Sequence, residues 1–271
     1  ARGKSLVLVV GFTGYHVGGK ESAKVRDITV ETTSTPPPAI ERASKFPLKT
    51  ARTLHNAEEV AQAQTNVATS KAAASVQRSF AAGAKPWLER SDSEVLVQIP
   101  PATVPRAFNV SVNGCPVHGK TIYEHGTYPW ILNPEKPFTI ECPVGHETYP
   151  SNDYAAYLRS GFQAEEALTG DHVDDGWGWV GPDEERYWFV GYACHWHWNK
   201  HVIPGVLALS RTYLLTGDLA SGHKGALMLA AIAHDYPNFD YANQSRYGQL
   251  TQGTYHGKIL NHIWETGTFR N

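Results

Sequence analysis

The sequence predicts a mainly α-helical protein with a short β segment in front of the helices. Apolar residues recur near helical spacing from Asn56 to about Leu88 and again beyond residue 183, as they do on the buried face of an amphipathic helix. Runs typical of β-strands come before residue 31. With 271 residues, 41% of them hydrophobic, the chain can form one sizeable domain and a smaller piece.

Residues 1–34 are interpreted as the terminal strands of an N-terminal β-sandwich. The runs Ser5–Val10 and Val25–Val30 flank a Gly-rich turn. Two strands alone are marginally stable in water, so we expect further strands to complete the sandwich. Residues 35–48 begin with a Thr-Pro-Pro-Pro run, which is typical of a stiff, extended linker.

The helical part starts with an Ala-, Gln- and Glu-rich stretch, Asn56–Leu88, that predicts one or two amphipathic helices. Pro86 should end or kink this run. Residues 100–155 are rich in Pro and Gly and predict an irregular loop region. An ordered loop of that length is expected to be held by a cross-link, such as a metal ion or a disulfide, or to have a function.

Beyond residue 183 the pattern predicts a helical hairpin. Pro204 is placed at a helix start, and Gly217 with Asp218 should close one helix and cap the next. The second helix should stop before Pro237, and a third should run from about Thr254 to Thr266. The buried stripe of the second helix is expected to carry Ala226, Leu227, Ala230 and Ala231.

Composition excludes some classes of partner. The 24 Lys and Arg residues are balanced by 26 Asp and Glu, so no global positive field attracts nucleic acid or another polyanion. No apolar run approaches the roughly 20 residues of a membrane-spanning helix. Several of the 8 Trp crowd into residues 177–198, which favours a platform for stacking sugars, although large rings also fill cores.

Several short segments carry a resemblance in their order and spacing: Cys115-Pro-Val-His-Gly119, Tyr128-Pro-Trp130, Cys142-Pro-Val-Gly-His146, Tyr149-Pro-Ser-Asn-Asp153, Asp174-Asp-Gly-Trp-Gly-Trp179, Leu215-Thr-Gly-Asp218, Gly257-Lys-Ile259 and Trp264-Glu-Thr266. Together they resemble heparinase II/III-like polysaccharide lyases, which include glycosaminoglycan and alginate lyases. The resemblance covers about residues 45–271.

The resemblance implies a secreted or periplasmic enzyme that cleaves acidic, uronate-containing polysaccharide by β-elimination. Members of the family have an (α/α) toroid followed by a β-sandwich. Residues 49–271 hold only five or six predicted helices, so the implied fold is an incomplete toroid preceded by the end of a β-sandwich. The expected partner is the remainder of the same enzyme, with further helices and a β-sandwich, and residues 1–271 alone are expected to be inactive.

β-Elimination requires a group that neutralises the uronate carboxylate, a base for the adjacent proton and an acid for the leaving oxygen. The resemblance implies an Asn for the carboxylate, with His and Tyr as base and acid. Asn261, His262 and Glu265 would project over an arc of roughly 100° on one helix. Glu265 would then orient or tune His262. The alternative is a solvated helix surface.

His195 and His197 are two residues apart, so in a helix they point about 200° from each other and cannot both line one pocket. His195 is the candidate catalytic residue, because it shares a polar and aromatic face with Trp188, Tyr192 and Asn199. A hydrogen-bonded structural histidine is the alternative. The candidate substrate-binding residues are Trp177, Trp179, Trp188, Tyr192, Asn199, Arg246 and Tyr247.

The loop region contains a candidate metal site. Cys115, His118, Cys142 and His146 could supply the four ligands of a tetrahedral zinc ion, which would explain how a Pro-rich stretch keeps its shape. A disulfide between Cys115 and Cys142 is a rival in an oxidising compartment. A loop with neither is the third possibility.

Two other functions remain open. A glycoside hydrolase on a similar toroid would use a carboxylate pair drawn from Asp174, Asp175, Glu184 and Glu185. A non-catalytic sugar-binding protein would explain the aromatic residues but not the Asn-His-Glu set. An unsaturated uronate product, detected by its ultraviolet absorbance, distinguishes the lyase from both.

Overall fold

The computed structural model describes residues 55–241, 257–260 and 264–265. The strands expected in residues 1–34 and the linker at 35–48 lie outside these residues. The described part is mainly α-helical with a few short strands, which confirms the helical fold class. Within it, no helix is both long and apolar enough to cross a membrane.

The first predicted helical stretch forms two helices, α1 (Ala57–Thr69) and α2 (Lys71–Leu88), followed by the short α3 (Asp92–Val97). Asn56 starts α1 with a capping box, because its side chain accepts from Glu59 N at 2.9 Å while the Glu59 carboxylate accepts from Asn56 N. Pro86 was expected to end or kink the run. It lies inside the last turn of α2, which continues to Leu88.

Residues 100–155 are largely irregular, as predicted, and the irregular region continues to residue 188, with short strands along it. β1 (Ile131–Leu132), β2 (Ile140–Glu141) and β3 (Thr148–Tyr149) form an antiparallel sheet in that order. After the short helix α4 (Tyr154–Arg159), β4 (Trp179–Val180) and β5 (Arg186–Tyr187) form an antiparallel pair. The register pairs Ile140 with Tyr149 and Trp179 with Tyr187.

The predicted hairpin is present, but its first arm is longer than expected. α5 (Phe189–His197) runs through a π-helical turn (Trp198–Val202) into α6 (Ile203–Thr216), and α7 (Leu219–Asp235) follows. Gly217 ends α6 at φ +73°, a left-handed conformation that suits glycine. Asp218 caps α7 by accepting from Ser221 N at 2.9 Å. Both predicted boundaries are confirmed.

The buried stripe expected on α7 is only partly correct, because Leu227 packs half-buried against the helical core and Ala231 is also half-buried. Ser221, Lys224, Gly225 and Met228 are its buried residues, whereas Ala226 and Ala230 are exposed. A polar contact accounts for this difference. Lys224 Nζ lies 2.6 Å from Asp92 Oδ1, and this ion pair directs that side of α7 toward α3. Gly225 faces α6, where it lies against Leu209.

Helix α5 lies between two apolar clusters and is buried on all sides. Val190 and Cys194 belong to a core formed with α2, α6 and α7. Phe189 and Tyr192 belong to a second core beneath the loop region. The polar face expected on this helix is therefore wrong, because both faces pack against protein.

The third predicted helix is wrong over residues 257–260, which form an irregular bend, while Trp264 and Glu265 are helical. Glu265 explains the bend. Its Oε2 accepts from Lys258 N at 2.6 Å and from Leu260 N at 3.0 Å. These two bonds hold the backbone around the carboxylate, a shape that a continuous helix does not have.

Candidate functional site

Two similar turns build a cluster of metal-binding side chains. In Cys115-Pro-Val-His-Gly119, Cys115 N donates to Gly119 O at 3.0 Å and Gly119 N donates to Cys115 O at 2.8 Å. In the second turn, between β2 and β3, Cys142 N donates to Glu147 O at 2.9 Å and His146 N to Cys142 O at 3.0 Å. Each Cys-Pro-Val start thus folds into a closed turn that directs its sulfur inward.

The side chains that meet there are Cys115, His118, Cys142 and Glu147, with all four ligand atoms within 4.8 Å of one another. His118 Nδ1 is 3.7 Å from Cys115 Sγ, 3.5 Å from Cys142 Sγ and 3.5 Å from Glu147 Oε2. Ligand atoms around a tetrahedral ion with bonds of roughly 2.0–2.3 Å have separations of this size. The cluster could hold a metal ion.

For metal binding, burial acts in opposite directions on the thiols and on the carboxylate of this cluster. Both thiols are buried, and burial raises the pKa of Cys142, although backbone hydrogen bonds from Gly145 and Val144 oppose this shift. Glu147 Oε2 is buried and accepts no hydrogen bond within the described part of the chain. A buried carboxylate oxygen without a donor is costly, and a metal ion would satisfy it.

His146 does not join the cluster, which corrects the predicted ligand set. Its backbone has φ +62°, and its side chain is 69% exposed with Nδ1 2.6 Å from Glu141 Oε1. This left-handed backbone conformation turns the His146 side chain outward. The side chain of the next residue, Glu147, points inward in its place. Three of the four predicted ligands, Cys115, His118 and Cys142, are thus brought together.

All three cysteines are free and buried. Cys194 lies in the core formed by α2, α5, α6 and α7, away from the two cluster thiols. Tyr149 lies closer, with its hydroxyl 3.6 Å from Cys115 Sγ, and burial raises its pKa. The second core of the protein therefore lies directly beneath the metal-binding cluster.

His195 lies in an aromatic cage formed by separate parts of the chain. Its ring centroid is 5.1 Å from that of Trp264, 5.2 Å from Trp196, 6.0 Å from Tyr241 and 6.5 Å from Phe108. The ring is fully buried, and neither nitrogen has a hydrogen-bond partner among the residues that the structure describes. Burial, followed by the charge of Arg106, lowers the pKa of His195 to about 3, so the imidazole stays neutral near pH 7.

The cage continues to Tyr128, whose ring lies 4.6 Å from Trp196 and 5.9 Å from Trp264. Beside it, the buried Arg106 donates to Val104 O at 2.9 Å and to Lys258 O at 3.3 Å. Its guanidinium also lies over Tyr241 at 5.9 Å. A buried cation therefore borders the aromatic site.

The remaining predicted catalytic residues are only partly described. Asn261 and His262 lie outside the described residues, as do Arg246 and Tyr247. Glu265 is buried and accepts from Tyr236 Oη at 3.3 Å in addition to its two backbone donors. This carboxylate holds the 257–260 bend in place, which differs from the expected role of orienting His262.

The predicted sugar-binding aromatics divide into one exposed ring and several packed ones. Trp177 is 50% exposed and Trp188 is half-buried, with ring centroids 6.2 Å apart. Trp179 packs on His172 at 4.6 Å. Tyr192 is buried in the second core, and Asn199 is half-buried in the π-helical turn. Of this group, Trp177 with Trp188 is best placed to meet a ligand.

Asp174 has a role that the sequence did not suggest. Its Oδ1 accepts from Gly176 N at 2.7 Å and Gly178 N at 2.8 Å, and its Oδ2 accepts from Val190 N at 3.0 Å in the first turn of α5. Burial raises the pKa of Asp174 to about 6 against these three donors. The carboxylate ties the Trp177 turn to α5.

This placement weakens the hydrolase alternative. Asp174 is fully buried and engaged by backbone donors, and Glu185 accepts from Ser111 Oγ at 3.0 Å. Asp175 and Glu184 are exposed. A pair of carboxylates facing each other across a cleft, as hydrolysis needs, is not formed by these four residues.

Comparisons with protein-family models, with curated proteins and with solved structures return no match for this chain. The functional interpretation therefore depends on the residues and their geometry.

Proposed function

We propose that the protein is a polysaccharide lyase that cleaves acidic, uronate-containing polysaccharide by β-elimination, on an (α/α) toroid. The observation that carries this proposal is the convergence at His195. Tyr128 and Trp264 come from two separate motif segments, and Trp196 follows His195 directly in the chain, yet the three rings pack together beside this histidine. Convergence of distant motifs on one polar group favours a site over a solvated surface.

The chemistry assigns a role to each candidate. A base removes the proton beside the uronate carboxylate, the electron pair forms a carbon–carbon double bond, and the glycosidic carbon–oxygen bond breaks as its oxygen takes up a proton. Asn261 binds the carboxylate and stabilises the charge that develops on it. His262 removes the proton, and His195 is the second histidine that we assign to the site. Trp177 supports the chain outside the site.

The test is a panel of uronate polymers digested with the full-length protein and followed by the ultraviolet absorbance of unsaturated uronate. We expect His262→Ala to lower elimination at least about a hundredfold, as for loss of a positioned acid or base. His234→Ala, on the exposed side of α7, is the matched control and should keep wild-type activity. New reducing ends without absorbance would identify a hydrolase and contradict the proposal.

Asn261→Ala separates catalysis from binding. Because the carboxylate gains charge as the proton leaves, we expect kcat to fall more than KM rises. An effect confined to KM would remove Asn261 from the stabilisation of the transition state.

We further propose that Cys115, His118, Cys142 and Glu147 hold a structural zinc ion. Glu147 Oε2 is buried, accepts no hydrogen bond among the described residues and lies 3.5 Å from His118 Nδ1. This supports a metal over a disulfide, because a disulfide would bring this oxygen no donor. Metal analysis should find about one zinc per chain, the number that one four-ligand site takes. Glu147→Gln should weaken zinc retention against a chelator, whereas His146→Gln should leave it unchanged. Metal-free protein, or equal effects of the two variants, would contradict this ligand set.

A further inference from the structure

A second candidate site, partly open to solvent, lies between α2, the end of α5 and the start of α6. It is a cavity of about 260 Å³ with Trp87 and Arg90 on one side and His197 and His201 on the other. None of its lining residues belongs to the metal-binding cluster or to the aromatic cage. Its volume is just below the roughly 300–1,000 Å³ of most small-molecule sites. A ligand there would be about the size of one sugar ring.

The two histidines have unused hydrogen-bonding atoms. His197 Nε2 donates to Gln98 O at 2.9 Å, so its Nδ1 is an acceptor, and that atom is buried without a partner in the described part of the protein. His201 Nε2 is also buried and unpartnered there, and the two rings lie 5.3 Å apart. Unsatisfied polar atoms in a native interior call for an explanation, and a missing ligand is one.

The backbone at this point is unusual as well. His201 lies in the π-helical turn that joins α5 to α6, and His197 is the last residue of α5. Single π-helical turns are rare and occur frequently at functional sites, because they redirect side chains that a regular helix would space evenly. Here the turn brings both imidazoles to one cavity.

Charge around the cavity is positive. Glu135 forms an ion pair with Arg90, whereas Lys200 has no carboxylate partner among the described residues and contacts only the face of Trp196, at 5.0 Å. Burial, followed by the charges of Lys200 and Arg90, lowers the pKa of His201. One negative and two positive side chains leave a net charge that favours an anion.

The opposite wall is flat and apolar. Trp87 lies under the guanidinium of Arg90 at 5.5 Å, and Pro86, Pro134 and Pro204 complete the surface. Gly205 brings the α6 backbone against the indole, and a Cβ there would overlap the ring. A flat apolar wall facing polar groups suits a sugar, which presents C–H bonds on its ring face and hydroxyls at its edge.

We propose that this cavity binds a monosaccharide acid, with its carboxylate toward the cationic side chains, its ring against the Trp87 wall and its hydroxyls toward His197 and His201. The site uses none of the residues assigned to elimination or to zinc. It therefore goes beyond the proposed lyase activity and can be tested without it.

Calorimetric titration of the whole chain with glucuronate tests the proposal, with glucose as the neutral analogue. We expect saturable binding of glucuronate that is at least about tenfold tighter than binding of glucose, the difference expected from one charge-assisted hydrogen bond. The His197 and His201 imidazole resonances should shift on titration. Equal binding of both sugars, or tighter binding of inorganic phosphate than of glucuronate, would overturn the assignment.

Two variants locate the binding, each with a matched control. Lys200→Gln keeps much of the side-chain length but removes the charge, and His201→Gln removes the imidazole; both should weaken glucuronate binding about tenfold. Lys71→Gln on exposed α2 and His234→Gln on exposed α7 should bind like the wild type. Wild-type affinity in Lys200→Gln and His201→Gln, or an equal loss in the controls, would contradict the proposal.

Discussion

The helical region and the loop region of this protein are held together in different ways. In the helical region, α2 and α5 to α7 pack around apolar side chains such as Trp87, Leu209 and Met228. In the loop region, between α3 and α5, single polar groups organise long stretches of backbone, as Asp174 does with three N–H donors. Apolar packing therefore organises the first region, whereas in the second region single polar groups fix the backbone above an apolar core.

The comparison teaches why the two regions should respond differently to substitution. A close-packed core spreads the effect of one change over many weak contacts. A backbone organised by one carboxylate or one metal ion loses several bonds at once when that group is removed.

The largest expected loss of stability comes from replacing Cys115, and Cys194 is the buried cysteine for comparison. Cys115→Ala takes a ligand from the metal-binding cluster and should cost several kcal/mol of unfolding free energy. Cys194→Ala, in the helical core, should cost only about 1 kcal/mol. Thermal unfolding with and without a chelator measures both. Equal losses, or a Cys115→Ala loss that a chelator does not reproduce in the wild type, would break the comparison.

Acid should act on the helical region through His197. Burial lowers its pKa to about 4, from 6.5, so the unfolded chain takes up the proton first. The stabilisation is present above pH 6.5 and is lost as the pH falls toward 4, on the order of 3 kcal/mol.

His197→Gln can still donate to Gln98 O but does not titrate. We therefore expect its stability to fall less steeply with acid, by about one proton, than that of the wild type. Denaturant unfolding at several pH values gives this slope. His234→Gln, with an exposed side chain, should keep the wild-type slope, and an unchanged slope in His197→Gln would contradict the burial of a neutral imidazole.

Asp174→Asn tests the loop region with an almost isosteric change. An amide nitrogen in place of one oxygen cannot accept from a backbone N–H, so we expect a loss of about 2 kcal/mol. Asp175→Asn is the matched control, because Asp175 is exposed and, within the described part of the chain, its side chain accepts only from Trp177 N. Chemical denaturation should separate the two, and comparable losses would show that burial of the carboxylate is unimportant.

The smallest expected loss of unfolding free energy comes from adding a methyl group to a glycine in the helical region. Gly205→Ala inserts a methyl group against Trp87, which can yield toward the cavity, and should cost about 1 kcal/mol after the gain in helix propensity. At Gly225 a Cβ would meet Leu209 at 3.5 Å, an ordinary contact, so Gly225→Ala should be neutral or stabilising. The reverse order would show that the cavity wall is looser than its geometry suggests.

Local signals in the sequence were enough to predict helix ends that are set by a single capping residue. Asn56, Gly217 and Asp218 mark helix boundaries through their own side chains or backbone conformations, and the structure confirms them. The all-round burial of α5 could not be read in this way. His195 and His197 count as polar in any pattern, and only the cores on both sides of the helix bury them.

The metal-binding cluster shows the same limit at the scale of one residue. Cys115, His118 and Cys142 follow from spacing, but the fourth ligand depends on where the β2–β3 turn reverses. The pairing of Glu141 with Thr148 and the positive φ of His146 turn that residue outward and Glu147 inward. The one available signal was an acidic residue beside the second Cys-Pro-Val turn.

The half-exposed Trp177 also has a spectroscopic consequence. The other seven of the 8 Trp are buried or half-buried, so a collisional quencher such as iodide should reach this indole first. The accessible fraction of the intrinsic fluorescence then reports mainly on one ring, whose backbone N–H donates to Asp175. A polysaccharide that covers Trp177 should protect that fraction from iodide, and its occupancy can be followed without a label.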